Sequence, residues 1–228
     1  MYKKNKILAI IPARSGSKGV KNKNAKIFNS KPLIEWSIKE AKKTSLIDNI
    51  VISTDSHAII KIANKLKVNY VKRPKKLSSD NSKVQDAVIH VLNKLKKNQN
   101  IFYDYMLLLE PTSPLRSVKT INKCVKFIVE NNINSIIPIS EINVNFGYKK
   151  KNNFVALNKP ARQRQLREKV FFESSTIYAV KMNFFNKYKQ FVNKNSIPFI
   201  ISKDEAFDIN DNIDFKISEL FHKNQNRE

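Results

Sequence analysis

Two glycines three residues apart, set among serines and basic side chains, are where this sequence first suggests chemistry. The segment runs Ala13, Arg14, Ser15, Gly16, Ser17, Lys18, Gly19, Val20, Lys21, Asn22, Lys23, Asn24. Gly16 and Gly19 permit positive φ, so successive N–H groups can turn inward as an anion nest. Ser15 and Ser17 add hydroxyl donors, while Arg14, Lys18 and Lys23 add positive charge. Backbone donors, small residues and cations are the parts that phosphate recognition needs. The 228-residue chain holds only three glycines, and by count seven arginines against 36 lysines. Their meeting in one loop separates it from an ordinary basic surface turn. The loop is not a Walker A sequence, and no loop carries the three glycines of a dinucleotide fingerprint.

Such a loop needs a scaffold that presents it. Apolar runs at 7–12, 49–53, 68–71, 105–109 and 135–139 read as strands. Amphipathic stretches at 32–44, 56–66, 83–95 and 118–130 read as helices. Alternation of this kind implies parallel strands joined by right-handed crossovers, with helices on both faces. The fold class is therefore α/β, a doubly wound and mainly parallel sheet in one domain spanning 1–228. In an open sheet of this type ligands bind beyond the carboxyl ends of the strands, where the glycine loop lies. From about 140 to 169 the pattern breaks into a polar stretch, expected to be an inserted arm or a mobile loop. Strands at 176–180 and 198–202 and a helix at 212–222 follow.

Composition bounds the reading further. One cysteine, Cys124, excludes a disulfide scaffold and a cysteine-based zinc site. With no export signal, the expected compartment is the cytoplasm. No apolar run reaches the ~18 residues of a membrane span. The formal charge is +24. A nucleic-acid binder would carry such charge, but it would cluster it and favour arginine. Here lysine is spread along the chain and asparagine is also abundant, as in a product of an AT-rich genome. No specific nucleic-acid partner is expected. The positive field would still draw in small polyanions.

Six segments in order resemble one family. IPARSGSKGVKNKN (residues 11–24) is similar to the N-terminal signature of the CMP-N-acylneuraminate synthetases. IVISTDS (50–56) matches that family's second strand and Ser-Thr-Asp turn, and KRPKKLSSD (72–80) its Arg-Pro loop. LLLEPTSPLR (107–116) resembles its Pro-Thr-Ser-Pro-Leu-Arg stretch, with Glu110 where glutamine is more frequent. ARQRQ (161–165) resembles an Arg-Gln motif, and FDINDNIDF (207–215) an acidic metal loop. The 3-deoxy-manno-octulosonate cytidylyltransferases share a shorter form of the first loop.

The resemblance implies a nucleotide-diphospho-sugar-transferase-like fold whose arm serves dimerisation, and a cytoplasmic homodimer. It implies transfer of CMP from CTP to the anomeric hydroxyl of a nine-carbon sugar acid, of sialic, legionaminic or pseudaminic type, with release of pyrophosphate. Arg14, Lys18 and Lys23 would be the catalytic cations. Ala13, Ser15, Gly16, Ser17, Asn24, Arg73, Ser79, Asp80, Thr112 and Ser113 would hold the nucleotide. Glu110, Arg116, Arg164, Gln165 and Tyr178 would meet the sugar; Arg162-Gln163 is the other register of the Arg-Gln motif. Asp208, Asn210 and Asp211 would hold Mg²⁺, with Mn²⁺ as the alternative ion.

Three residues have readings that need no ligand. Ser113 can cap the next helix, Asp211 can cap the last one, and Asp214 suits its first turn. Two departures fall where the sugar is expected: Ser174-Ser175 replaces an Asn-Gly, and Asn145-Phe146-Gly147 replaces a His-Pro feature. Alternatives are an octulosonate enzyme, a CTP-binding relative without turnover, and a basic nucleic-acid-binding protein.

Overall fold

The computed structural model describes residues 1–99, 101–159 and 161–225. In chain order the strands are β1 (Ile7–Pro12), β2 (Ile27–Phe28), β3 (Lys31–Pro32), β4 (Asn49–Thr54), β5 (Asn69–Lys72), β6 (Tyr105–Leu108), β7 (Ser135–Ile142), β8 (Gly147–Lys150), β9 (Asn153–Ala156), β10 (Val170–Glu173), β11 (Tyr178–Lys181) and β12 (Ile197–Ile200). The helices are α1 (Leu33–Lys42), α2 (His57–Lys65), α3 (Val84–Gln99), α4 (Val118–Glu130), α5 (Met182–Tyr188) and α6 (Asn212–Gln225).

Strand β1 is buried along its whole length, which is why it reads as one apolar run without alternation. It lies between β4 and β6, parallel to both, with β5 beyond β4. Its side chains divide by the period of two. Ile7, Ala9 and Ile11 face a core closed by α1, α2 and α4, through Ile34, Ile38, Ile59, Ala63, Ile121 and Val125. Leu8 and Ile10 face a second core closed by α3 and α5, through Val88, Val91 and Phe185. Each such large apolar side chain contributes about 1.5–3 kcal/mol by leaving water. The sheet is thus covered on both faces, as the strand–helix alternation predicts. Cys124 is a fully buried member of the first core.

One half of the sheet departs from the parallel expectation. The strand expected at 176–180 forms as β11, which runs antiparallel between β6 and β7. Strand β10 is also antiparallel to β7, while β12 is parallel to it. An apolar run carries no mark of strand direction, so the sequence could not distinguish these cases. The irregular stretch leaves the sheet at the end of β7. It forms the β8–β9 hairpin and a 3₁₀ turn at Arg164–Leu166, then returns as β10. Helix α6 closes a third small core over Val20, Phe28, Leu33 and Ile209, with Trp36 against it. Among the described residues no helix is long and apolar enough to cross a membrane.

Candidate functional site

The carboxyl ends of β1, β5 and β6 open onto two adjoining clefts. The first, of about 240 Å³, is bounded by the loop after β1, by Arg73 and Ser82, and by Glu110, Pro111 and Thr112. The second, of about 620 Å³, continues over Leu108 and Tyr178 to Glu173, Ser175, Gln190, Phe191, Asp208 and Asn210. The first turn of α3, at Val84, borders both.

The glycine loop is anchored before it reaches the cleft. The Ala13 N–H donates to the Ser53 carbonyl oxygen at 2.9 Å, continuing the β1–β4 pairing. The Ser15 N–H and hydroxyl both donate to the Asp55 carboxylate, at 2.7 and 2.5 Å. The Ser15 hydroxyl is therefore committed to the scaffold. Burial pushes the Asp55 carboxyl up, but the Ser15 hydrogen bonds and nearby Arg73 outweigh it and hold the group below its ordinary value. Asp55, not anticipated as a site residue, lies inside the quoted Ser-Thr-Asp turn.

The two glycines do different things. Gly16 has φ +72°, and a Cβ there would meet nothing within 4 Å. Gly19 needs closeness rather than dihedral freedom, because a Cβ would lie 1.9 Å from the Asn210 carbonyl oxygen. The loop thus touches the 208–211 segment backbone to backbone. Lys23 adds to this contact, donating to the Ile209 carbonyl oxygen at 2.5 Å. Burial lowers the Lys23 pKa, with Asp208 and Glu110 opposing.

Arg14, Ser17, Lys18, Gly19, Lys23 and Asn24 all line the first cleft. Arg14 and Lys18 both pair with the Asp80 carboxylate, at 2.7 and 3.1 Å. Those two cations hold the Asp80 carboxyl below its usual range. Asn24 donates to the Arg14 carbonyl oxygen, and its own Oδ1 is buried without a partner among the described residues. Arg73 lines the cleft but is largely committed to strand β4, donating to the Ser53 hydroxyl and carbonyl oxygens. Ser79 is exposed and bonds Ser82, which borders the cleft in its place.

Several expectations are corrected by placement. Arg116 does not reach either cleft. It is 2% exposed and donates to the Glu110 and Thr176 carbonyl oxygens and the Ser37 hydroxyl. Burial brings its pKa down to about 10. It is an interior strut beneath the site. Ser113 does not cap the next helix, since Ser117 does so by accepting from the Thr120 N–H. Asp211 caps α6, accepting from the Ile213 and Asp214 N–H groups. Asp214 returns a carboxylate to the Asn210 and Asp211 N–H groups, completing a reciprocal cap. Arg164 and Gln165 sit exposed on the arm's 3₁₀ turn and line neither cleft, and the same holds for Arg162-Gln163.

Three groups do meet in the second cleft. Tyr178 donates to Glu173 at 2.7 Å, and burial together with Glu173 raises its pKa. Asp208 has an Oδ1 that is buried without a hydrogen bond among the described residues. Burial raises its pKa against the pull of Thr112 and Lys23. Glu110, half-buried at the boundary, is pushed up to about 7 by burial and by Asp208, with Arg116, Arg73 and Lys23 opposing.

Asp208, the Asn210 side-chain oxygen and the cleft's hydroxyls form an all-oxygen donor set, suited to a hard divalent cation. Among the described residues no three His, Cys, Asp or Glu side chains form a metal cluster. An ion at Asp208 would complete its shell from ligand oxygens and water.

The chain matches the cytidylyltransferase family model over residues 8–224. It is 33% identical over 235 residues to the post-translational flagellin modification protein B of Campylobacter coli, covering 97% of each chain. It is 28% identical over 247 residues to the N-acylneuraminate cytidylyltransferase of Escherichia coli O18:K1:H7, covering 99% of this chain. It spans 54% of that relative's length. A solved CMP:2-keto-3-deoxy-manno-octonic acid synthetase in complex with CTP superposes with a TM-score of 0.73 over 96% of this chain and 99% of that one, at 12% identity. At that identity the likeness is one of fold.

Proposed function

This chain belongs to the cytidylyltransferase family, and from that premise we propose that it transfers CMP from CTP to the anomeric hydroxyl of a nine-carbon sugar acid, releasing pyrophosphate. The observation that carries this reading is the pair of adjoining clefts with a shared boundary at Lys23, Glu110 and Thr112. One is a cationic glycine loop suited to a triphosphate. The other presents Glu173, Tyr178, Gln190 and Ser175, which suit the hydroxyl and amide groups of a sugar. The relative named as an N-acylneuraminate cytidylyltransferase favours a nonulosonate over an octulosonate.

Phosphoryl-transfer chemistry of this kind asks for positioning and for charge on the phosphate oxygens. Arg14 and Lys18 lie at the mouth of the first cleft and would exchange Asp80 for phosphate oxygens. Lys23 stands where both clefts meet and would face the α-phosphate of a bound nucleotide. Ser17, Gly16 and the first turn of α3 offer donors to the remaining oxygens. A divalent cation held at Asp208, Mg²⁺ or Mn²⁺, would neutralise phosphate charge as the bond to the sugar forms.

The arm is the proposed dimer contact. Tyr148, Phe154, Leu157 and Leu166 are all exposed on it, Phe154 by 63% and Leu166 by 65%. So many large apolar side chains on one segment mark an interaction surface. Among the described residues Lys23 is the one cation lining the second cleft, so the arm's arginines from a second copy would supply a receiver for the sugar carboxylate.

The test is pyrophosphate release from CTP and Mg²⁺ over a panel of sugar acids. Release with a sialic, legionaminic or pseudaminic acid is the expected result. Silence with all three overturns the reading, and release with the eight-carbon acid alone transfers it to the octulosonate class.

A further inference from the structure

A third cleft, of about 350 Å³, opens beside the one assigned to the sugar. It shares Glu173, Ser175, Asp208 and Asn210 with the second cleft and no residue with the first. It is therefore reached from the sugar's side and not from the triphosphate's. Phe172, Ala206 and Phe207 give it an apolar wall, with the exposed Lys203 beside them. Two of these are held from behind. Ala206 is 3% exposed and belongs to the first core, and the Phe207 ring lies 6.4 Å from that of Phe221.

Most polar groups around this cleft are already engaged. The Ser174 hydroxyl bonds that of Thr176. The Asp214 carboxylate accepts from the Asn210 and Asp211 N–H groups. The Asn210 amide donates to the Asp208 carbonyl oxygen. Two groups on the border with the sugar cleft keep capacity. Ser175 is half-buried, and among the described residues its hydroxyl makes no hydrogen bond. The Glu173 carboxylate accepts one, from Tyr178. Ser175 is also one of the two serines that stand in place of an Asn-Gly. Its backbone stays outside the positive-φ region, so the position carries a side chain without strain.

A border with a free donor and a free acceptor, backed by an apolar wall, matches a secondary amide. We propose that the third cleft is a subsite for an acylamino group on the exocyclic chain of the sugar acid; this rests on the cytidylyl-transfer reading above. The Ser175 hydroxyl donates to the amide oxygen, and the Glu173 carboxylate accepts from the amide N–H. The acyl methyl then lies against Ala206 and Phe207. The sialic type carries hydroxyls along that chain. The legionaminic and pseudaminic types carry an acylamino group there and a terminal methyl. Hydroxyls set against Phe172 and Phe207 would lose water without gaining partners. The site therefore selects the acylamino types.

Pyrophosphate release at saturating CTP gives kcat/KM for a sialic acid and for a legionaminic or pseudaminic acid, in wild type, Ser175→Ala and Phe207→Ser. Wild type should favour the acylamino acid by about tenfold or more. S175A should narrow that preference by about 3–10-fold, the worth of one hydrogen bond. F207S should narrow it by a similar factor, through KM rather than kcat. Where the sialic acid gives no turnover, the loss is read on kcat/KM for the preferred acid, with CTP affinity by calorimetry as the control. A wild type that favours the sialic acid, or neither, overturns the subsite and leaves the transfer reading standing. A preference that either variant leaves intact does the same. If F207S does not fold, S175A decides alone. Silence on every sugar acid, or release with the eight-carbon acid alone, overturns the nine-carbon reading and this inference with it.

Discussion

Gly19 and Asn210 touch through their backbones, so that a Cβ on Gly19 would sit 1.9 Å from the Asn210 carbonyl oxygen. The obstacle is backbone, which cannot swing aside as a flexible side chain would. Gly19→Ala should therefore separate the glycine loop from the segment that carries Asp208. Overpacking of this kind costs about 1–3 kcal/mol. The expected outcome is a lowered Tm together with weaker CTP binding, read by thermal melts and calorimetry. A variant that matches wild type in both would show that the two segments need not touch.

Asp55 fixes the same loop from the other side through its two hydrogen bonds to Ser15. Asp55→Ala should leave those donors without a partner and cost about 1–3 kcal/mol. Its effect on activity should fall on KM for CTP more than on kcat, with partial rescue by Asp55→Asn. The pH sign follows from the depressed carboxyl. Stability from Asp55 is present above its unfolded value of about 4 and is lost as pH falls through the lower folded value. Acid melts of wild type should show a loss in that window that is smaller in D55A; equal acid sensitivity would remove the assignment.

The glycine loop was legible because Gly and Arg are scarce and meet there. The central strands were legible because burial on both faces leaves unbroken apolar runs. Side-chain direction was not. Arg116 stands in a motif that follows a central strand, yet its guanidinium turns under the sheet to Thr176 and Ser37. Asp208 and Asp211 differ by three positions, and only the start of α6 decides that one caps and the other faces the cleft. Gln190, Phe191 and Val192 reach the second cleft from the turn after α5, a helix too short to announce itself by periodicity.

Asp80 holds both Arg14 and Lys18, the cations nearest the mouth of the first cleft. A triphosphate must compete with that carboxylate. Asp80→Asn should tighten CTP binding several-fold at low salt, with the gain shrinking as salt screens the exposed charges. Thermal stability should hardly change, because exposed ion pairs contribute little. Weaker CTP binding in D80N would instead assign Asp80 to ordering the cations.

The apolar side chains of the arm give a test of assembly. Phe154→Asp combined with Leu166→Asp alters two exposed positions that no core cluster includes. Wild type should sediment as a dimer and the double variant as a monomer with unchanged circular dichroism. A monomeric wild type would dismiss the arm as a self-contact.

Arg116 separates an interior role from a substrate contact. Its guanidinium is buried and tied to two carbonyl oxygens and a hydroxyl, joining the turn after β6 to α1 and to the residues before β11. The charge is held there at some cost, since burial lowers its pKa to about 10. Removing one partner of a buried charged network costs about 3–5 kcal/mol, largely through the groups left unpaired. Arg116→Ala should therefore drop the Tm steeply, and Arg116→Lys should also destabilise because an ammonium cannot serve three acceptors in one plane. A sugar-binding arginine would behave in the opposite way, raising KM for the sugar while the melt stayed in place. An unchanged melt with a raised sugar KM would return Arg116 to the cleft.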